Sequence, residues 1–189
     1  MRTNACTMEK VLICLLLFLT PAVCEANEPE QKTPAPGRER LLSASREIMS
    51  SAQFCSLITL DGGGQPRARV MDAFAPDEDF VVWLATDRRT RKVEQIMNDP
   101  RVTLYYFDPT TLGYVTLLGI ADLVDDPMEK ARRWKDGWEA FYPGERENFL
   151  LIRVVPRQLE IVSFAHEIGG DPETWTPLSV DFAGAESFD

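Results

Sequence analysis

The segment Phe54 to Phe74 constrains the fold of this chain more than any other stretch. It holds an apolar run, Phe54 to Leu60, then the turn sequence Asp61-Gly-Gly-Gly-Gln-Pro66, then a second run from Arg67 to Phe74. Glycine adopts positive φ without steric penalty, so this turn lets the backbone reverse within a few residues. The flanking runs are then expected to pair as an antiparallel hairpin. Further strand candidates follow at short intervals. Phe80 to Ala85 comes after the turn Ala75-Pro-Asp-Glu-Asp79, and Arg101 to Phe107 alternates around Val102, Leu104 and Tyr106. Tyr114 to Val124 carries Gly119 as a bulge or close-approach point, and Phe149 to Val155 and Gln158 to Phe164, separated by Pro156, close the series.

Three helices interrupt these strands. From Glu39 to near Gln53, the positions Leu41, Leu42, Ser45, Ile48 and Met49 recur at helical spacing. A second helix begins near Thr90 and stops before Pro100, and a third runs from Pro127 to about Phe141, with Trp134 and Trp138 one turn apart on a core face. Six or seven short strands, mostly in hairpin order, predict a mainly β protein: an antiparallel barrel with flanking helices rather than alternating βαβ units. At 189 residues and 44% hydrophobic, the chain has enough apolar material for one such domain.

The ends read differently. Arg2 and Lys10 precede the apolar run Val11 to Leu19, and Thr20-Pro-Ala-Val-Cys-Glu-Ala-Asn27 supplies small residues suited to cleavage, so residues 1–26 are expected to be a secretory signal peptide. The run is short for a membrane span, and Val23 is bulky for lipid attachment at Cys24, which favours ordinary cleavage and a secreted or periplasmic product. Residues 27–38 are Pro-rich and polar, a linker; residues 39–165 form the domain, and residues 166–189 a tail that packs back on the barrel or covers the site. After cleavage Cys55 is the one remaining thiol, so no internal disulfide forms, and its apolar run marks it as a small buried hydrophobe.

Charge narrows the chemistry. Thirty acidic against twenty basic residues argue against a nucleic-acid surface, yet Arg88, Arg89, Arg91 and Lys92 cluster where a strand passes into a helix. A helix start adds unpaired N–H groups and a partial positive charge, so this corner suits a small phosphorylated ligand. The single histidine, His166, leaves too few ligands for zinc and reads as a solvated loop residue rather than the base of a catalytic triad, and Asp61-Gly-Gly-Gly lacks the ending of a phosphate-binding P-loop. An anion site beside an apolar barrel wall suits a cofactor that brings its own reactivity.

The motifs Pro66-Arg-Ala-Arg-Val-Met-Asp72, Trp83-Leu-Ala-Thr86, Thr90-Arg-Lys-Val93 and Asn98-Asp-Pro-Arg-Val-Thr-Leu-Tyr105 occur in one order and spacing. In this the chain resembles the FMN-binding split-barrel proteins of the pyridoxamine 5′-phosphate oxidase-like superfamily, and within it the general-stress-protein branch, over roughly residues 40 to 165. The resemblance implies a homodimer with two flavin sites at the subunit interface. It implies that Arg69, Arg91 and Lys92 contact the phosphate of flavin mononucleotide (FMN), with Thr90 adding a hydroxyl. Val70, Met71 and Asp72 would set backbone groups against the isoalloxazine ring, and Thr86 would lie at the ribityl or ring edge. Arg88 and Arg89 are assigned to a solvated turn, because one helix start cannot aim four cations at one phosphate.

Phe74 stands where the pyridoxamine phosphate oxidases themselves carry a lysine, and their C-terminal Arg and His pair has no match, which argues against a pyridoxal-type substrate. The function expected is that of a flavin-dependent oxidoreductase with an unidentified small substrate. The alternatives are a non-enzymatic flavin-binding or redox-sensing stress protein, and a deazaflavin or haem binder on the same barrel.

Overall fold

The computed structural model describes residues 36–142 and 148–182. The expected signal peptide, Cys24 and nearly all of the linker lie outside the described residues. In chain order the elements are α1 (Arg38–Ser51), β1 (Phe54–Leu60), β2 (Pro66–Asp72), β3 (Val82–Asp87), α2 (Arg91–Asn98), β4 (Arg101–Asp108), β5 (Gly113–Val124), α3 (Pro127–Arg132), a 3-10 turn (Trp138–Ala140), β6 (Phe149–Val162) and β7 (Leu178–Asp181).

All strand pairs are antiparallel, in the order β2-β1-β4-β5-β6-β3, with β7 also on β6. The hairpin of β1 and β2 is in register from Phe54 opposite Asp72 to Leu60 opposite Pro66. Its turn is held by the Asp61 carboxylate, which accepts from the amides of Gly63 and Gln65 at 3.0 Å each, while Gly64 supplies the positive φ of 77°. Beyond Asp72 the chain leaves β1, and Ala73 bridges to Leu84 of β3, so the two edge strands of the sheet meet and the barrel closes. This handover places the end of β2 beside β3, where the candidate site forms.

Alternation decides the interior. Leu57 of β1, Leu104 of β4, Val115 and Leu117 of β5, and Leu159 and Ile161 of β6 are fully buried. Each such side chain stabilises the fold by about 2 kcal/mol. Helix α1 covers one end with Leu41, Ala44, Ile48 and Met49, and its buried Ser45 satisfies its hydroxyl on the Leu41 carbonyl at 2.7 Å.

Two expectations need correction. Pro156 does not separate two strands; β6 is one strand of 14 residues. Gly119 faces Pro156 and Leu118 faces Gln158, so Arg157 is the extra residue of a bulge, where a proline without an N–H is tolerated. The helix predicted from Pro127 to Phe141 stops at Arg132. Asp126 caps it by accepting from Met128 and Glu129 amides, but Gly137 takes a left-handed φ of 87°, and the burial of Trp138 against Phe149 and Leu151 prevails over helix continuation. Of the two alternatives for the chain beyond Ala165, its described residues pack back on the barrel, with Ile168 and Val180 in the core and β7 running from Leu178 opposite Ile161 to Asp181 opposite Gln158.

Candidate functional site

The end of β2, the end of β3, the first turn of α2 and the segment Lys135–Tyr142 enclose a cavity of about 690 Å³. Its shape begins in the turn after β3. The Asp87 carboxylate accepts from the Arg89 amide at 2.8 Å and from the Arg89 guanidinium, chiefly the latter holding it down at a pKa of about 2. The Thr90 hydroxyl donates to the Asp87 carbonyl at 2.8 Å, and Thr90 stays extended as the residue before α2. It makes no side-chain cap to the helix, so the first-turn amides are not spent on it. Thr86, buried at the end of β3, lies 3.1 Å from the Thr90 hydroxyl and accepts from the Lys92 ammonium at 3.1 Å.

Of the residues singled out in the sequence, Val70, Met71, Asp72, Thr86, Thr90 and Lys92 line this cavity. Arg69 and Arg91 do not line it. Arg69 stands behind the wall, donating to the Leu57 carbonyl, the Thr59 hydroxyl at 2.7 Å and the Gln95 side-chain oxygen at 2.9 Å. Its pKa is lowered by burial and then by the charge of Arg91, and that of Lys92 is lowered by burial and then by Arg69, with Asp87 opposing. The three cations therefore repel one another across one small region. Arg69, Arg91 and Lys92 form no salt bridge among the described residues, although the chain carries a net charge of -10. Arg88 and Arg89, by contrast, are paired with Asp125 and Asp87 at 2.5 and 2.6 Å on the surface.

The cavity also has an aromatic lining, of which Trp138 was expected on a core face. Trp138, Phe141, Tyr142 and Phe54 line it, with Val70 71% exposed beside them. Asp72 accepts from Lys135 and from the Trp138 indole, and so uses its side chain to hold the wall. Burial and then the charge of Asp87 push the Tyr142 phenol up to about 12, so it is a protonated donor at neutral pH. No periodicity marks Lys135, because its partner Asp72 lies in a distant strand.

The site lies where β2 meets β3 in the seven-stranded antiparallel sheet, lined by Lys92 of α2 and by the aromatic side chains of Trp138, Phe141 and Tyr142. The family model described as "Pyridoxamine 5'-phosphate oxidase like" matches residues 42–161, more than half of the chain. The chain belongs to the pyridoxamine 5′-phosphate oxidase-like family. No curated protein matches it. Among solved structures it is similar to general stress protein 26 from Bacillus anthracis, with 22% identity over 76% of this chain and 99% of that one and a TM-score of 0.60. It is similar to a protein related to general stress protein 26 from Clostridium acetobutylicum, with 20% identity over 76% and 95% of the two chains and a TM-score of 0.61. A pyridoxamine 5′-phosphate oxidase-related, FMN-binding protein from Nostoc punctiforme shares 20% identity over 78% and 97%, with a TM-score of 0.54. These likenesses show the mainly β split-barrel fold.

Within this family member, Cys55 and His166 lie outside the cavity lining. Burial pushes the Cys55 thiol up to about 12, partly offset by the Tyr106 hydroxyl, which removes it as a nucleophile at neutral pH. His166 is not the solvated loop residue expected: one ring nitrogen lies 2.8 Å from the buried Ser163 hydroxyl and the other 3.1 Å from Glu47, tying the loop after β6 to α1. No group of three or more His, Cys, Asp or Glu able to hold a metal occurs among the described residues. No described helix is long and apolar enough to cross a membrane.

Proposed function

We propose that this protein binds FMN, with the phosphate at Arg69, Arg91 and Lys92 and the ring against β2 and the aromatic wall, and acts as a flavin-dependent oxidoreductase on a small substrate. The observation that carries the reading is the uncompensated charge: three cations that repel one another, with no salt-bridged carboxylate among the described residues, in an acidic chain where Arg67, Arg88, Arg89 and Arg101 each have one. A phosphate relieves their repulsion and accepts charge-assisted hydrogen bonds from each. FMN, when bound, supplies the electron or hydride transfer.

The residues of the chain then have separable tasks. Lys92, held by Thr86, presents a point charge at the cavity wall, at the start of α2. Val70, Met71 and Asp72 offer edge-strand backbone to a planar polar ring, while Trp138 and Phe141 exclude water from its face. The Tyr142 phenol, protonated at neutral pH, lines the same cavity and supplies a hydrogen-bond donor there. Haem would call for an axial ligand such as His or Cys, and His166 and Cys55 are engaged elsewhere.

Two further proposals accompany this one. Phe54, Val70, Tyr105 and Phe107 stand exposed on β1, β2 and β4, contiguous with the cavity mouth through Phe54 and Val70, and we assign this face to a homodimer contact. The N-terminal 26 residues are proposed to direct export and to be removed. The test is to purify the mature domain and record its visible spectrum with and without added FMN and a reduced nicotinamide. A flavin spectrum with turnover is expected; a flavin spectrum without turnover would leave a flavin-binding protein that is not an enzyme, and no uptake of FMN would refute the reading. Replacing Arg91 and Lys92 with Ala is expected to weaken FMN binding by about 2 to 4 kcal/mol and leave riboflavin binding nearly unchanged. Equal weakening of both ligands would remove the phosphate assignment.

A further inference from the structure

The anion site depends on a residue that touches neither the cavity nor any motif. Gln95, on the inner face of α2, is 8% exposed and Thr59, on β1, is 1% exposed. Arg69 donates to the Thr59 hydroxyl at 2.7 Å and to the Gln95 oxygen at 2.9 Å, and the Thr59 hydroxyl donates on to the same Gln95 oxygen at 2.6 Å. The three side chains close a ring of hydrogen bonds that orients the guanidinium from strand and helix at once. A third bond, to the Leu57 carbonyl at 3.3 Å, shares one of its nitrogens. Of the five N–H donors of a guanidinium, two have no acceptor among the described residues.

Every acceptor in this brace is neutral. Arg46 is likewise held by neutral groups, the carbonyls of Pro76, Asp77 and Glu78, whereas Arg67 pairs with Asp61, Arg88 with Asp125, Arg89 with Asp87 and Arg101 with Asp99. A carboxylate is available next door, since Glu94 precedes Gln95, but it lies on the exposed side of the helix. A glutamate at position 95 would make the same two accepted bonds and neutralise Arg69. The glutamine holds the side chain without spending its charge, at the cost of mutual repulsion with Arg91 and Lys92.

We propose that Gln95, with Thr59, is a positioning residue that fixes Arg69 through neutral acceptors and so reserves its charge for a phosphate monoester dianion. This rests on the FMN reading above and deepens it. It separates two roles that ordinarily move together, because a residue kept only for stability would be better as glutamate, whereas one kept for anion binding must be neutral.

The experiment compares the wild type and Gln95→Glu as apo-proteins, by thermal melting and by fluorescence titration with FMN and with riboflavin. The expected result is opposite signs: the variant melts at a higher temperature, binds FMN at least about tenfold more weakly and binds riboflavin within about twofold of the wild type. Inorganic phosphate, used as the bare anion, is expected to raise the melting temperature of the wild type more than that of the variant. Unchanged FMN affinity in the variant, with the wild type binding FMN, would overturn the positioning role. So would a parallel fall in melting temperature and in affinity for both ligands, which is the mark of a structural residue. A wild type that shows no preference for FMN over riboflavin would overturn the parent reading and this one with it. If Gln95→Glu does not fold, Thr59→Val removes one neutral acceptor from Arg69 and is expected to reduce the preference for FMN over riboflavin; an unchanged preference overturns the proposal.

Discussion

Asp72 and Lys135 are 63 positions apart in the chain, and the lysine ammonium lies 2.5 Å from the aspartate carboxylate. The second carboxylate oxygen accepts from the Trp138 indole at 3.2 Å, so one side chain at the end of β2 holds the aromatic wall of the cavity. The ion pair is about one-third exposed on each side, and by itself adds less than about 1 kcal/mol. Asp72→Ala is therefore expected to lower the melting temperature by only a few degrees. Its larger effect falls on Trp138, now 7% exposed, whose fluorescence should shift to the red as the wall loosens. Unchanged emission would mean that packing on Phe149, not Asp72, holds the wall.

Binding of FMN should have a bell-shaped pH dependence. The pKa of Lys92 is below its ordinary value, first through burial and then through Arg69. In the apo-protein the unfolded chain holds more protons between that lowered value and the ordinary lysine pKa, so this group makes stability rise with pH across that window. A phosphate beside Lys92 restores the charged form, binding takes up protons, and affinity falls as pH rises through the lowered pKa. On the acid side a phosphate monoester loses its second charge below about pH 6, and affinity falls again. Titrations from about pH 5 to about pH 10 check both limbs. Riboflavin should show neither, and a flat curve for FMN would count against phosphate binding at Lys92.

Much of the barrel was readable because β1, β4 and β5 alternate strictly and their turns carry Gly, Pro or Asp. The start of α2 was readable for the same local reason, Thr90 following a turn and preceding an amphipathic run. What escaped was set by distant partners. Trp138 leaves the expected helix because Gly137 lets the chain turn it onto Phe149, and Gln95 reads as an ordinary helix residue until Arg69 of another strand is seen against it. Strand β7 is four residues long and gains its identity from pairing with β6, not from a pattern of its own.

Proximity to the helix start does not make Arg88 and Arg89 part of the anion site. Each has a carboxylate partner, and their side chains are 42% and 73% exposed. Arg88→Ala and Arg89→Ala are expected to change FMN affinity by less than about twofold and stability by less than about 1 kcal/mol. A tenfold loss of affinity from either one would return that residue to the site.

Gly119 tests the barrel on which the site is built. A Cβ at this position would lie 2.6 Å from the Val155 carbonyl oxygen and 2.9 Å from a Val154 methyl, and the first of these is backbone that cannot swing aside. Relief requires β5 and β6 to separate at the bulge opposite Pro156, where the ladder is already interrupted. Overpacking of this kind costs about 1 to 3 kcal/mol. Gly119→Ala should lose that much in urea unfolding with the slope unchanged, since the fold and the area it buries are retained. Gly62→Ala is the control, because a Cβ there meets nothing within 4 Å and the loss should be below about 0.5 kcal/mol. Equal effects at the two positions would mean that the close approach of β5 and β6 does not determine stability there.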